Sequence, residues 1–209
     1  MSGSGVSAAV AASLPPGVDW NFIAAREGAM TNGYVPPDSS GNPDANSGVT
    51  IAVGFDLGGR TIADLQSLGL ASDLVATLTP YLGLKGQAAQ SCLNAEPLVI
   101  TAAQEQAIDT PAFNRTYNQV SGNYNATSPA VQFQSLSQGA QTAVVSVAYQ
   151  YGTNLAVATP HFWAQVTGGQ WQAAYNNLMN FGDQFPSRRH LEAGLILRDI
   201  QSGALPAGS

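Results

Sequence analysis

Two acidic residues, Glu27 and Asp56, stand out in a chain in which only 10% of the residues are charged. Glu27 closes a short apolar segment, and Asp56 lies in a glycine-rich stretch that also carries Thr50. Hydrolysis of a glycosidic bond needs a protonated acid at the leaving oxygen and a carboxylate that directs water to the other face of the sugar. A carboxyl at a helix end, followed by a hydroxyl and a second carboxylate on a hairpin, could supply this chemistry.

Glu27 is predicted to end a helix that begins after Asp19, a good N-cap residue, and that stops at Gly28. Acidic side chains are disfavoured at helix C-termini, because the helix dipole is negative there. An ordinary surface acid would have little reason to occupy this position. We therefore predict that Glu27 is a general acid rather than a solvated helix-end residue.

Asp56 follows Gly54 and Phe55 and precedes further glycines, so taken alone it would be a turn residue that caps a backbone amide. Thr50 lies six residues earlier, and an even spacing along a strand places two side chains on one face. The glycines, Gly54 among them, would let a sugar approach the backbone. We predict that Thr50 and Asp56 hold a water between hydroxyl and carboxylate.

The sequence predicts a short helix, then a small sheet, then a series of helices, and this order is typical of an α+β fold. A length of 209 residues suits one domain. We expect a flexible leader over residues 1–16 and a domain over 17–209, with a small β lobe at about 29–59 and a helical lobe at about 60–203. A cleft between the lobes would contain both acids.

Pro111 either bends a helix that starts after the capping box at Thr101 or begins a new one.

Composition excludes several classes of function. A net charge of −6 argues against nucleic acid as a partner, since phosphate contacts need clustered Lys and Arg. The single Cys92 excludes an internal disulfide and is predicted to be a buried thiol. No apolar run is long enough for membrane insertion. The Asx-rich loop at 38–46 lacks the glycine and glutamate positions of a calcium loop, and His161 and His190 have no spaced ligand partners, so no metal or cofactor is expected.

Four segments around the two acids resemble the pesticin-type muramidase domains, a family related to bacteriophage lysozymes. They are Phe22-Ile23-x-x-Arg26-Glu27-Gly28, Gly33-Tyr34-Val35-Pro36, Ser47-Gly48-Val49-Thr50-Ile51 and Gly54-Phe55-Asp56-Leu57-Gly58. The resemblance implies a lysozyme-like fold, Glu27 as general acid, and Asp56 and Thr50 as the pair that activates water. It implies peptidoglycan as substrate, cut between N-acetylmuramic acid and N-acetylglucosamine.

Further residues are assigned supporting roles. Pro186-Ser187-Arg188 is similar to a segment that opens a late helix in phage lysozymes, which implies that Arg188 reaches the catalytic acid. Otherwise Arg188 and Arg189 would be solvated first-turn residues. Tyr34 and Phe55 could stack on sugar rings, although core packing is the alternative for most aromatic residues here.

The predicted activity is an antibacterial one. The segment from Met1 to Pro16 lacks Lys and Arg, so it is not a recognisable signal peptide. We expect a monomer that is made in the bacterial cytoplasm, is exported or injected, and acts in the periplasm of a target cell, with an immunity protein as a possible inhibitor. A phage endolysin and a non-catalytic wall-binding module remain alternatives, and the stereochemical outcome, a transglycosylase outcome included, and wall preference stay open.

Overall fold

The computed structural model describes residues 14–28, 30–127 and 129–206. Within these residues the chain forms a three-stranded antiparallel sheet and ten α-helices, which confirms the predicted α+β class. Most of the predicted leader, residues 1–13, lies outside the described residues. Leu14, at its end, is buried. None of the described helices is both long enough and apolar enough to cross a membrane.

The described chain divides into two compact units. One contains residue 14 and the stretch 24–112, and the other contains residues 15–23 and 113–206. The predicted β lobe ended at about residue 59, whereas the first unit also includes the helices that follow it. The reason is a shared apolar core, in which the strand residues Val49 and Ile51 cluster with the helix residues Leu65, Leu74 and Ile108.

The first unit begins with the end of helix α1, which spans Trp20–Glu27 as a whole. The other elements are β1 (Met30–Tyr34), β2 (Thr50–Ala52), β3 (Phe55–Asp56), α2 (Ile62–Ser67), α3 (Ser72–Leu78), a 3₁₀ turn (Thr79–Tyr81), α4 (Gly86–Ala95) and the first half of α5 (Ala102–Ala126). The strands pair in the order β1-β2-β3, with Tyr34 opposite Thr50 and Thr50 opposite Asp56.

Local capping explains where several of these helices begin. The Asp19 carboxylate accepts a hydrogen bond of 3.0 Å from the Phe22 amide, as its position before α1 predicts. Thr101 and Gln104 form the predicted reciprocal box at the start of α5, which continues through Pro111 without a break. Helix α3 has Ala71 as its N-cap residue, without a side-chain hydrogen bond, and a 3₁₀ turn follows directly after its last residue.

The second unit is helical. Its elements are the second half of α5, a 3₁₀ turn (Phe133–Ser135), α6 (Gln138–Tyr151), α7 (Leu155–Ala158), α8 (Pro160–Thr167), α9 (Trp171–Met179) and α10 (Pro186–Gln201). Helix α6 is buried on every side from Ala140 to Ala148, as the apolar residues on nearly all of its faces predict. Ser137 caps this helix by accepting a hydrogen bond from the Ala140 amide.

Candidate active site

Glu27 is the last residue of α1, where the sequence places it. Gly28 follows with a φ of +72°, a left-handed conformation that glycine adopts without steric cost and that commonly ends a helix. The Glu27 side chain is half-buried. It belongs to the first unit, together with Thr50 and Asp56.

Thr50 and Asp56 lie directly opposite each other on β2 and β3. An even spacing along one strand predicted a shared face for these residues, but a turn separates them. They share a face because opposed residues of an antiparallel pair project to the same side. Thr50 is only 4% exposed and Asp56 is half-buried, so both lie at the boundary between core and surface.

Asp56 fixes the backbone around it. Its Oδ1 accepts a hydrogen bond of 3.0 Å from the Gly48 amide and one of 2.7 Å from the Gly58 amide. Within the described part of the chain, both of these bonds use Oδ1 and neither uses Oδ2. The turn-capping role that the sequence offered as an alternative is therefore present, and it leaves one carboxylate oxygen for other chemistry.

Gly48 and Gly58 are glycines for a steric reason. A Cβ on Gly48 would lie 2.3 Å from the Gly58 nitrogen and 2.6 Å from Asp56 Oδ1. A Cβ on Gly58 would lie 2.7 Å from the Gly48 Cα. The two backbones touch, and this contact brings both amides to one carboxylate oxygen. Thr50 joins the same cluster, since its hydroxyl donates to the Gly48 carbonyl at 3.4 Å.

The supporting residues of the first unit occupy different environments. Tyr34 pairs with Thr50 across β1 and β2 and is 36% exposed. Gly54 forms the β2–β3 turn with a φ of +72°. Phe55 packs on the core, and the Arg60 guanidinium lies 4.0 Å from its ring centre. Stacking of Tyr34 or Phe55 on a sugar stays a prediction.

Arg188 belongs to the second unit, where it is largely buried. Its Nε lies 3.2 Å from Glu192 Oε1, and its Nη2 donates to the Ser146 carbonyl at 2.9 Å and to the Ser146 hydroxyl at 3.2 Å. The alternative of a solvated first-turn residue is wrong, because these bonds hold the guanidinium in the interior. Its proposed reach to Glu27 stays a prediction.

Arg189 is fully buried, which the sequence analysis did not foresee. It forms ion pairs with Asp183, at 2.9 Å, and with Glu192, and it donates to Gln150. Burial raises the pKa of Glu192, although both arginines act in the opposite direction. The signal was the Arg188-Arg189-x-x-Glu192 spacing, which places the acid one turn after both cations.

Asp183 links this network to a pocket of about 800 Å³ in the second unit. Burial alone would raise the pKa of Asp183, but hydrogen bonds from Tyr151, the Phe185 amide and Arg189 hold it below its usual range. Its other lining residues include three Asn side chains, one Gln side chain, His161 and two phenylalanine rings. Glu27, Thr50 and Asp56 are not among its lining residues.

Helix α5 carries a pair of buried acids that was not predicted from the sequence. Glu105 and Asp109 are one helical turn apart and are only 5% and 4% exposed. Asp109 Oδ1 accepts a hydrogen bond of 3.2 Å from the Val53 amide, in the turn between β2 and β3. Burial raises the pKa of Asp109 to about 8 and also raises that of Glu105. The i,i+4 spacing of two acids in an otherwise uncharged helix start was the available signal.

The chain matches the model of a known protein family. The model described as "Pesticin: Bacterial toxin homologue of phage lysozyme, C-term" matches residues 17–172. The matched stretch is more than half of the chain, includes Glu27, Thr50 and Asp56, and ends before Arg188. A search of curated proteins returns no match. With its α+β fold and with these three residues inside the matched stretch, the chain belongs to the pesticin family of lysozyme-like bacterial toxin domains.

Proposed function

We propose that this domain is a muramidase that hydrolyses the bond between N-acetylmuramic acid and N-acetylglucosamine in peptidoglycan. The observation that carries the proposal is the opposed Thr50–Asp56 pair, whose backbone surroundings are fixed by Asp56 Oδ1 while Oδ2 is not used. Membership of a lysozyme-like toxin family supports the same reaction class.

The hydrogen-bonding capacity of the pair suits a nucleophilic water. The Thr50 hydroxyl donates its proton to the Gly48 carbonyl, so its oxygen is left to accept. A water that donates one hydrogen to Thr50 Oγ1 and the other to Asp56 Oδ2 has its own lone pair free to face the sugar. The pair thereby orients the water as well as activating it.

Glu27 completes the proposed reaction. The water oxygen bonds to the anomeric carbon while Asp56 takes a water proton, and the glycosidic C–O bond breaks as Glu27 protonates the leaving oxygen. Proton exchange with solvent then restores both carboxyls. Arg188 is proposed to reach Glu27, and Tyr34 and Phe55 are proposed to stack on sugar rings; the proposed reaction includes no cofactor.

We further propose that the domain is an antibacterial toxin delivered to the wall of a target cell, where an immunity protein could block it. The family description as a bacterial toxin homologue favours this role over a phage endolysin. A wall-binding module without activity is the rival from another class, because a fold does not guarantee chemistry. The Thr50–Asp56 arrangement disfavours it, since binding alone does not need a water-orienting pair.

Incubation of the purified protein with peptidoglycan, followed by mass spectrometry of the released fragments, tests the activity. Hydrolysis gives reducing ends, whereas anhydro ends would indicate a transglycosylase that uses no water and would overturn the role of Asp56. Release of nothing by a folded protein would favour the binding module.

Glu27→Gln tests the acid itself. This variant should lose about 10²- to 10⁴-fold in rate, because an amide donates no proton to the leaving group. Its thermal melting curve should stay close to that of the unaltered protein. Glu96→Gln, at an exposed acid of the same unit, is the matched control and should keep full activity. Wall clearing by Glu27→Gln at the normal rate would end the assignment.

A further inference from the structure

The turn between β2 and β3 is hydrogen-bonded to a residue that is far away in the sequence. Val53 lies between Ala52, with a φ of +55°, and Gly54, with a φ of +72°. A positive φ costs energy for alanine and persists only when the surroundings enforce it. The hydrogen bond from the Val53 amide to Asp109, 56 residues later, is such a constraint.

The acceptor of this bond is part of a buried acid pair. Among the described residues, no Lys, Arg or His forms an ion pair with Glu105 or Asp109. The turn that faces the pair, residues 52–54, contains no titratable side chain. Among the described residues, the buried Asp109 Oδ2 accepts no hydrogen bond from a backbone amide or a cationic side chain, and a side-chain hydrogen bond joins the carboxyls of Asp109 and Glu105 when one of them is protonated. The environment therefore tolerates one negative charge at this place far better than two.

The turn held by Asp109 lies next to the proposed water site. The strands that the turn connects carry Thr50 and Asp56 as an opposed pair, separated from the turn by only one residue pair, Ile51 with Phe55. A shift of the turn would therefore move the two groups that the proposed function assigns to the water.

We propose that Asp109 is a positioning residue that holds the Thr50–Asp56 hairpin through the Val53 amide, and that the hairpin is released when Glu105 and Asp109 are both ionised. A doubly charged pair must gain water, because one charge-assisted hydrogen bond recovers only part of the cost of burying an ion. Gly54 is exposed and Val53 is half-buried, whereas Ala52 is buried, so the outer part of the turn is the part that can open. The positioning of the hairpin rests on the structure alone, and its effect on hydrolysis rests on the proposed function.

Carbon-detected NMR of the Val53 and Gly54 backbone between pH 6 and 9.5 tests the release directly, without any assay of activity. In the unaltered protein the Val53 signals should titrate with a midpoint near 8, the pKa to which burial raises Asp109. Asp109→Asn keeps an oxygen acceptor but cannot ionise, so this titration should vanish. Glu105→Gln removes the neighbouring charge and should lower the midpoint.

The control is Glu96→Gln, which should leave the Val53 titration unchanged. Val53 signals that stay constant over this range in the unaltered protein, or that titrate equally in Asp109→Asn, would overturn the proposal. Either result would leave the muramidase assignment intact.

The second measurement separates positioning from general support of the fold. At pH 6.5, Asp109→Ala should lower kcat about tenfold with KM changed less than twofold, since the water-orienting pair is displaced while substrate contacts remain. Asp109→Asn should recover most of kcat. If kcat and KM of Asp109→Ala both match those of the unaltered protein, Asp109 does not position the hairpin. If Asp109→Ala does not fold, Asp109→Asn and Glu105→Gln still decide the question by NMR.

Discussion

At the scale of the residue, Asp56 combines a structural and a proposed chemical role on separate oxygens. Oδ1 binds the amides of Gly48 and Gly58, and Oδ2 is the oxygen proposed to activate water. Substitutions can separate these roles, because asparagine keeps an oxygen acceptor and lacks a base, whereas alanine lacks both.

We expect Asp56→Asn and Asp56→Ala to differ in stability but not in activity. Both should lose activity by about 10²-fold or more, because neither has a base. Asp56→Ala should also lower the free energy of unfolding by about 2 kcal/mol or more, since two buried amides lose their acceptor. Asp56→Asn should stay within about 1 kcal/mol of the unaltered protein. Urea unfolding and fragment release measure the two effects, and normal hydrolysis by Asp56→Asn would refute the chemical role.

The buried Asp109 predicts an unusual dependence of stability on pH. Its pKa is about 8 in the folded protein and about 3.9 in an unfolded chain, so the folded state binds the extra proton between these values. The free energy of unfolding therefore falls as the pH rises from about 4 to 8, by up to about 1.4 kcal/mol per pH unit from this one group.

Asp109→Asn should flatten this slope by a similar amount, because the amide does not titrate. Urea unfolding at pH 5, 6 and 7 measures the difference between the two slopes. Asp73→Asn, at an exposed acid, is the control and should keep the slope of the unaltered protein. Parallel slopes for Asp109→Asn and the unaltered protein would show that Asp109 is already ionised at pH 5.

At the scale of the element, the contact between Gly48 and Gly58 governs the hairpin. Gly48→Ala should lower the free energy of unfolding by about 1–3 kcal/mol, because the new Cβ meets backbone atoms that cannot rotate away. Activity should fall as well, since Asp56 loses its anchored position. Gly59→Ala is the matched control, because its Cβ has nothing within 4 Å and should change stability by less than about 0.5 kcal/mol. Equal stability of the two variants would contradict the contact.

Local signals predicted the elements better than the site around them. The cap at Asp19, the box at Thr101 and Gln104 and the buried α6 follow from neighbouring residues alone. The Gly48–Gly58 contact and the Val53–Asp109 bond join segments that are 10 and 56 residues apart, and such pairings depend on tertiary structure. The same limit applies to Arg189, whose burial depends on acids at positions 183 and 192.

At the scale of the whole molecule, the net charge bears on how the protein would approach the proposed substrate. The net charge is −6, so an anionic wall polymer repels the protein at long range. Salt screens this repulsion over roughly 10 Å at 0.1 M. We expect kcat/KM on anionic peptidoglycan to stay constant or rise severalfold between 20 and 200 mM salt. Turbidity assays at matched pH measure it, and a steep fall with salt would indicate a basic binding surface that the composition does not suggest.

The division of the chain could not be read from its order of elements. Sequence periodicity marks a change from strand to helix near residue 60, yet the helices up to residue 112 share a core with the sheet. Which residues share a core depends on which apolar faces pack together. The sequence around Leu65 and Ile108 does not show which residues they contact. The predicted order of sheet and helices was confirmed, and the boundary between units required the structure.

The hydrogen bonds that hold Asp56 also indicate which substitutions would let a related domain lose the proposed activity and keep its fold. A descendant that kept the hairpin but abandoned cleavage could exchange the acid for asparagine, whereas small apolar replacements would loosen the loop along with the chemistry. Under the proposed function, the residue at position 56 thus serves as a marker in sequence surveys: aspartate is expected in relatives that hydrolyse the substrate, and asparagine in relatives that keep the hairpin without a base.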